Sequence, residues 1–431
     1  MTLLKDNGGD GVRFAKNALL MLLALRTGDT VSIAAGMWFV PRYVSPEDIG
    51  AVLPVTSFAT FLSLPAFALA MAVMKESAVL SARGERGRTK SLLLGVFAMA
   101  GAALSTALIA AWAVVPRYLD AMKVSDASVG FLVMAAAFMG CVAPVYTDAL
   151  QSLRKFRALS AVEVAGSCAR FATMLVTMPM RALAGYFAGQ AALPAFRIIG
   201  SVIALRKDLA VKAEPYWNRE SLRRLGLAFI AILAYQSAPM AASLVEQTIM
   251  RTSLSASDSA GYYMVSRFSD FLSYLTFPLL LVMFPYTAAA AARRDSTRPF
   301  VLKCCAVTLT AAAAMAVVYG FFGVQMLSLM PTGSDYAEHA AYMPWLTVAG
   351  AMTTCQVFYT NAEVSAGRFG FLWWLVPLHL AYSAAIAAAS RFGMVSDMTT
   401  MAAWLVAASV ARFAFAAFSA LRESTGVARP G

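Results

Sequence analysis

The sequence is dominated by uninterrupted apolar stretches of about 20 residues, the length a helix needs to cross the hydrocarbon core of a bilayer. Short polar segments separate these stretches along the whole chain. Lipid offers no water to unpaired backbone groups, so the stretches are expected to be helices. The predicted spans are residues 17–40, 51–73, 91–114, 129–150, 159–178, 183–205, 225–249, 262–286, 304–326, 342–360, 371–388 and 401–420.

The composition supports a membrane protein. Hydrophobic residues make up 60% of the chain and charged residues 13%, whereas soluble domains carry roughly 25% charged residues. The first apolar stretch is too long for the core of a signal peptide, so we expect it to be a retained first helix. We therefore predict an all-α polytopic membrane protein with about twelve transmembrane helices, in two six-helix lobes around a central cavity.

The distribution of Lys and Arg predicts the orientation. With the N-terminus inside, the inner segments hold about 24 of these residues and the outer turns about 6, as the positive-inside rule requires. This predicts cytoplasmic termini and a multi-pass protein of the cell inner membrane. The net charge of +12 is then explained by cytoplasmic loops and not by binding to nucleic acid. The outer residues are Arg42, Arg117, Lys123, Arg181, Arg251 and Arg391.

A polar stretch that contains Pro215 divides the chain into two halves. We predict an N-terminal lobe at 1–205, a cytoplasmic linker at 206–224 and a C-terminal lobe at 225–431. Helices one and seven run in the same direction, so any repeat between the halves is parallel. The turns at 46–50 and 257–261 echo one another, since each offers small or acidic capping residues before a glycine.

Two charged residues lie near the bilayer centre in helix one. Arg26 and Asp29 are about 14 and 18 Å from its start, at 1.5 Å per residue. They are three residues apart and share a face, so they either neutralise each other or line a water-filled lumen. The two interpretations are compatible, and the lumen is favoured.

Helix eight carries a polar stripe in which Tyr263, Arg267, Asp270 and Tyr274 occupy one face. Milder stripes follow on helices two and seven, although hydroxyl groups alone often only join two helices. Helices one, two, seven and eight are equivalent pairs under the predicted repeat and are expected to face a shared cavity. The milder stripes are Thr56, Thr60 and Ser63 on helix two and Tyr235, Ser243 and Glu246 on helix seven.

These stripes predict a site for an anion. Arginine is always charged and its planar guanidinium grips phosphate or carboxylate with two hydrogen bonds. The predicted substrate-binding residues are Arg26, Arg267, Tyr263, Tyr274 and Thr60. The acids Asp29, Asp270 and Glu246 either balance the arginines or take up the protons or sodium ions that couple transport.

The remaining charges within the spans have more ordinary interpretations. Those near a cytoplasmic helix end are explained by snorkelling to the interface. Arg170 is either a cavity group or a partner of Glu163 on the same helix face, and Arg412, near mid-span in helix twelve, has no predicted role. The residues assigned to snorkelling are Asp148, Glu163, Arg197 and Glu363.

No pattern in the sequence predicts an enzyme or a cofactor. Neither the cysteines nor the histidines have the spacing of a metal site, and no nucleophile motif or phosphate loop occurs. The cysteines lie within or at the edge of predicted spans, so disulfides are not expected. These residues are Cys141, Cys168, Cys304, Cys305, Cys355, His339 and His379.

Two stretches resemble the Wzx-type polysaccharide-biosynthesis flippases, which share a superfamily with multidrug and toxic-compound exporters and peptidoglycan-precursor flippases. The stretch 42–50, which reads Arg-Tyr-Val-Ser-Pro-Glu-Asp-Ile-Gly, is similar to the family's turn between helices one and two. The stretch 260–285, from Ala-Gly-Tyr-Tyr through Arg267 to two Phe-Pro pairs, is similar to the family's helix eight.

The resemblance implies two six-helix lobes with a cationic cavity between helices one, two, seven and eight. It implies a lipid-linked oligosaccharide as substrate, carried by its polyprenyl diphosphate from the cytoplasmic to the outer leaflet. Arg26 matches a lumen arginine of related flippases, and Arg267 lies on the corresponding face of helix eight. Further expected partners are membrane lipids, a polysaccharide polymerase and glycosyltransferases. The chain lacks the two additional helices of peptidoglycan-precursor flippases, which argues against lipid II.

Other transporter classes remain as alternatives. A major-facilitator transporter has two six-helix lobes, and the loop 83–88 approaches its signature but lacks one residue and has Glu for Asp. A multidrug exporter of the flippase superfamily comes next. A membrane polymerase or ligase is the weakest alternative, since such enzymes carry a large outer loop with catalytic Arg or His.

Overall fold

A computed structural model describes residues 23–425, apart from residues 25, 29, 32, 83, 154, 209, 293–295 and 367. Helix α1 contains the described residues from 23 to 43, which leave out 25, 29 and 32, and within it Ala35–Phe39 form a π-helix. Three helices follow it, α2 (Pro46–Ala82), α3 (Arg86–Ala121) and α4 (Ala127–Ser152). The next helix, Phe156–Leu205, is broken at Ala182, and we label its two arms α5 (156–181) and α6 (183–205).

The second half of the chain continues the same pattern. Its helices are α7 (Arg219–Ser253), α8 (Ala256–Ala292), α9 (Arg298–Ser328), α10 (Met343–Ser365), α11 (Leu372–Arg391) and α12 (Met398–Thr425). A 3-10 helix, Gly333–Tyr342, joins α9 to α10. Across the described residues, each of the twelve predicted spans falls on a separate helix or arm, and no strand occurs, so the predicted all-α architecture is confirmed.

The turn between α5 and α6 is unusually tight. Ala182 has φ 42° and ψ −112°, which breaks the helical path just after Pro179. A β-carbon at Gly185 would lie 2.5 Å from the Met178 backbone nitrogen, so only glycine permits the two arms to meet there. The two predicted spans are thus separated by a four-residue turn.

The outer surfaces of the helices suit a bilayer. Seven of the described helices are long and apolar enough to cross a membrane. Large apolar side chains are exposed on several helices, including Ile109 (77%), Phe321 (76%) and Trp373 (87%). A soluble monomer rarely exposes contiguous apolar surface of this kind. The chain is therefore a multi-pass membrane protein.

The described chain forms two compact units. Unit 1 contains residues up to Ala35 together with Phe58–Gln236, and unit 2 contains Gly36–Ser57 and the residues from Ser237 onward. Helices α1, α2 and α7 contribute residues to both units. The lobe boundaries at 1–205 and 225–431 stay a prediction.

Each unit has its own apolar core. In unit 1, Leu92 and Leu93 of α3 are buried in a cluster with Leu150 and Leu159. In unit 2, Leu272 of α8 packs with small residues of α9 and α10. The small residues are Ala312 and Ala351, which permit close helix approach.

The echo between the two turns is confirmed at the level of hydrogen bonds, with Ser45 matching Ser255 and Asp48 matching Asp258, a register one residue away from the predicted match of 46–50 with 257–261. The Asp48 amide donates to the Ser45 hydroxyl (3.1 Å), and that hydroxyl donates to the Asp48 carboxylate (2.9 Å). Asp258 and Ser255 repeat both bonds at 3.0 and 2.9 Å. The two turns therefore start α2 and α8 with the same cap.

Candidate functional site

The π-helix of α1 is held by α8 within unit 2. A π-turn inserts an extra residue into a helix, and such turns frequently occur at functional sites. The hydroxyl of Tyr263 donates a 3.0 Å hydrogen bond to the Gly36 carbonyl, and the Tyr263 side chain is 1% exposed. A β-carbon at Gly36 would lie 3.4 Å from the Tyr263 hydroxyl and 3.8 Å from Cδ of Arg267. The side chains of Tyr263 and Arg267 therefore both lie close to the π-turn.

Arg267 lies above the ring of Tyr263 and beside Asp270. Its guanidinium carbon is 5.1 Å from the ring centroid, within cation–π range. One guanidinium nitrogen is 3.2 Å from the Asp270 carboxylate, and the side chains of Arg267 and Asp270 are 24% and 39% exposed. The guanidinium is therefore oriented by its two neighbours, and both side chains of the pair are partly exposed.

A second carboxylate of unit 2 is enclosed by phenol groups. Glu246 of α7 accepts hydrogen bonds from Tyr382 of α11 (3.0 Å) and Tyr262 of α8 (3.5 Å). Arg412 of α12 lies 5.4 Å from the Tyr382 ring centroid. An ionised carboxylate at this position is stabilised by two phenol donors and by the nearby positive charge. Glu246 is thus placed to gain or lose a charge inside the unit.

The predicted site residues fall into two groups. Tyr263, Arg267 and Asp270 are brought together in unit 2, where Glu246 contacts Tyr262, the sequence neighbour of Tyr263. Tyr274 is half-buried one turn beyond Asp270 on α8.

Arg26 and Thr60 belong to unit 1. Arg26 is half-buried on α1, close to Gly28, where a β-carbon would lie 2.6 Å from the Ser167 hydroxyl of α5. Thr60 is exposed on α2. Asp29 lies outside the described residues, so its predicted pairing with Arg26 stays a prediction, as does a cavity shared by helices one, two, seven and eight.

Sequence reasoning missed several residues of unit 2. Tyr262 was not predicted, because adjacent residues point to different faces of a helix and only Tyr263 lies on the polar stripe of α8. Arg412 was noticed without a role, and the structure places it against Tyr382, with its Nε 3.2 Å from the Ala408 carbonyl. Nothing in the local sequence of α11 pointed to Tyr382, since its partner Glu246 is distant along the chain.

Glu163, Arg197 and Glu363 each have an ion-pair partner in the structure, and their snorkelling to the interface stays a prediction. Arg197 of α6 donates to Glu163 of α5 at 2.5 Å, which joins two helices of unit 1. Arg368 donates two hydrogen bonds, of 2.6 and 2.9 Å, to the buried Glu363. Each of these carboxylates thus has an arginine close enough to balance its charge. Among the described residues, no group of three His, Cys, Asp or Glu is arranged to hold a metal ion.

The fold matches solved transporter structures along almost the whole chain. An inward-facing multidrug resistance MATE family transporter of the MOP superfamily aligns over 95% of this chain and 100% of its own, with a TM-score of 0.72 and 14% identity. The outward-facing conformation of such a transporter aligns over 95% of this chain and 97% of its own, with a TM-score of 0.66 and 12% identity.

A third structure is a MOP superfamily transporter from Pyrococcus furiosus, described as having a binding pocket of reverse polarity that suggests a different function. It aligns over 96% of each chain, with a TM-score of 0.64 and 12% identity. No protein-family model and no curated protein sequence matches the chain. At these identities the likeness shows the fold, which is the twelve-helix, two-lobe fold of MATE transporters.

Proposed function

We propose that the protein is a flippase that moves a lipid-linked oligosaccharide, carried on polyprenyl diphosphate, from the cytoplasmic to the outer leaflet by alternating access. The protein then acts as a transporter of the inner membrane and not as an enzyme. The proposal is carried by the side chain of Arg267, which is partly exposed and is oriented by the ring of Tyr263 and the carboxylate of Asp270. A diphosphate needs compensating charge when it leaves water, and arginine supplies charge together with two aligned donors.

The fold supports the transport step. Solved transporters with this fold include inward-facing and outward-facing conformations. An exchange between two such conformations moves a bound substrate across the membrane without opening a continuous pore. In our proposal Arg267 in unit 2 and Arg26 in unit 1 each contact the anionic head group during the cycle, with Tyr263, Tyr274 and Thr60 near it.

The acids are proposed to couple transport to an ion gradient. Glu246 is enclosed by Tyr262 and Tyr382, and Asp270 is paired with Arg267. A carboxylate in such a setting can exchange a proton or bind Na⁺ as the protein changes conformation. We propose the same coupling role for Asp29, because its position in the sequence places it near the predicted centre of helix one.

The deciding experiment measures lipid-linked oligosaccharide on the cytoplasmic leaflet of cells that carry Arg267→Ala or Arg26→Ala. Each variant should accumulate this lipid at normal protein abundance, because the multivalent anion loses compensating charge. Arg391→Ala is the control, since Arg391 is an exposed cation at the end of α11. Unimpaired translocation in both Arg26→Ala and Arg267→Ala would rule out the anionic substrate.

The fold likeness itself favours a second candidate function, export of small drugs. The first of the matched structures is described as a multidrug resistance transporter. None of the three matched structures is a major-facilitator transporter, so that alternative gains no support from them. A drug exporter predicts that deletion of the gene lowers drug resistance and leaves surface polysaccharide unchanged, which is the reverse of the flippase outcome.

A further inference from the structure

The predicted linker is fixed to unit 1 as a strap, which we define as residues 206–218. Its attachment is to the start of α3, through main-chain atoms as well as side chains. The bonds run from the Glu214 amide to the Gly87 carbonyl (3.1 Å), from the Trp217 indole nitrogen to the Ser91 carbonyl (3.0 Å) and from the Lys90 ammonium to the Val211 carbonyl (2.8 Å). A β-carbon at Gly95 would lie within 2.5 Å of the Trp217 ring, so the indole packs there because residue 95 has no side chain. These bonds hold the main chain of the strap and the Trp217 indole against the start of α3.

The strap and the first turns of α7 present exposed cations that have no carboxylate partner. Lys155 pairs with Asp208, and Arg224 pairs with Glu76 at 2.6 Å. Five further cations make no ion pair with any residue that the structure describes. They are Arg206, Lys207, Lys212, Arg219 and Arg223, and all five are exposed.

This arrangement is unfavourable for the protein by itself. Arg219 and Arg223 are four residues apart on α7, where like charges repel. They also occupy the N-terminal turns of the helix, whose dipole already favours negative charge. A bound anion removes both penalties, so the arrangement points to an anionic ligand.

The neighbouring apolar residues place these cations at the depth of lipid head groups. Ile203, near the end of α6, is 58% exposed, and Leu227, near the start of α7, is 60% exposed. Both lie only a few residues from the cations, at the ends of the predicted spans 183–205 and 225–249. The helices thus leave the hydrocarbon where the strap begins and ends.

We propose that the strap and the first turns of α7 form a binding surface for the phosphate head groups of anionic phospholipids. Each cation close to an anionic membrane surface contributes favourably to such binding. Free phosphate offers the same charge but no acyl chain to lie beside Ile203 and Leu227, so membrane lipid fits the surface better. Binding here is independent of the transported substrate.

The test is native mass spectrometry of the full-length protein from micelles with equal amounts of phosphatidylglycerol and phosphatidylcholine. The wild type should retain phosphatidylglycerol preferentially. A strap variant with Gln at Lys207, Lys212, Arg219 and Arg223 should lose that preference by about tenfold or more. The control variant carries Gln at four exposed cations of predicted outer turns and should stay within about twofold of wild type. Those four are Arg117, Lys123, Arg181 and Arg391.

Three outcomes overturn the proposal. They are an unchanged preference in the strap variant, an equal loss in the control variant, and full displacement of the lipid by inorganic phosphate at constant ionic strength. The four substituted side chains make no ion pair among the described residues and two of them repel each other, so thermal stability in detergent should not fall. If the fourfold variant does not fold, Arg219→Gln with Arg223→Gln should still lower the preference about threefold, and no change there contradicts the proposal.

Discussion

One arginine–carboxylate pair in unit 1 and one in unit 2 have the same chemistry but differ in their partners' helices and in their exposure. Arg197 and Glu163 join α6 to α5 at 2.5 Å, and the glutamate side chain is 10% exposed. Arg267 and Asp270 lie within one turn of α8 at 3.2 Å, and the aspartate side chain is 39% exposed. The first pair holds two helices together and has little room for a ligand. The second lies within one helix and both of its side chains are partly exposed, so we expect an anion to reach it more readily than the first.

The largest expected effect separates these two roles. Arg197→Met should lower protein abundance and thermal stability, because Glu163 is left charged and buried. Adding Glu163→Leu should restore most of that stability, since a buried pair can be replaced by apolar groups of similar volume. The measurements are membrane abundance and the melting temperature in detergent.

The same pair of substitutions in unit 2 should behave differently. Arg267→Met with Asp270→Leu should reach normal abundance yet leave lipid-linked oligosaccharide on the cytoplasmic leaflet. Recovery of transport in this double variant would mean that the pair serves structure alone. Loss of abundance equal to that of Arg197→Met would remove the contrast between the units.

A slightly smaller effect is expected at Glu246. Glu246→Gln keeps an acceptor oxygen for one phenol and offers the other phenol an N–H donor, and it removes the charge that a coupling ion would neutralise. Transport driven by an ion gradient should fall by about tenfold or more, whereas exchange without a gradient should be retained. The measurement compares both modes in proteoliposomes. An equal loss in both modes assigns Glu246 to folding or substrate binding instead of coupling.

Arg267→Lys should have an intermediate effect. Lysine keeps the positive charge near the ring of Tyr263 but lacks the two-pronged donor geometry of arginine. Translocation should fall about tenfold, compared with near abolition in Arg267→Ala. If lysine and alanine are equally inactive, the geometry of the guanidinium matters more than its charge.

The smallest expected effect concerns the support for Arg267. Tyr263→Phe removes the hydrogen bond to Gly36, worth about 1 kcal/mol, and keeps the ring beneath the guanidinium. Transport should fall only a few-fold, whereas Tyr263→Leu removes ring and hydroxyl and should cost more. Initial rates in vesicles resolve this difference. Equal rates in wild type and Tyr263→Phe would show that the π-turn needs no anchor.

The sequence alone determined the helices of this protein and several of its functional candidates. Apolar stretches of span length are sufficient to predict membrane helices, because the bilayer excludes any unpaired backbone. The stripe on α8 was equally readable, since Tyr263, Arg267 and Asp270 recur at helical spacing within one element. Local periodicity carries information of this kind wherever partners lie on the same helix.

Only the tertiary structure decided which distant residues meet. Glu246 and Tyr382 are 136 residues apart, and Glu163 and Arg197 belong to two helices whose tight turn brings them together. The π-turn at Gly36 was equally unreadable, because it is set by packing against Tyr263 and not by local propensity. Helix periodicity fixes the direction in which a side chain points from its own helix. The residue that this side chain meets depends on how the helices pack against one another. That packing cannot be read from the local sequence of either helix.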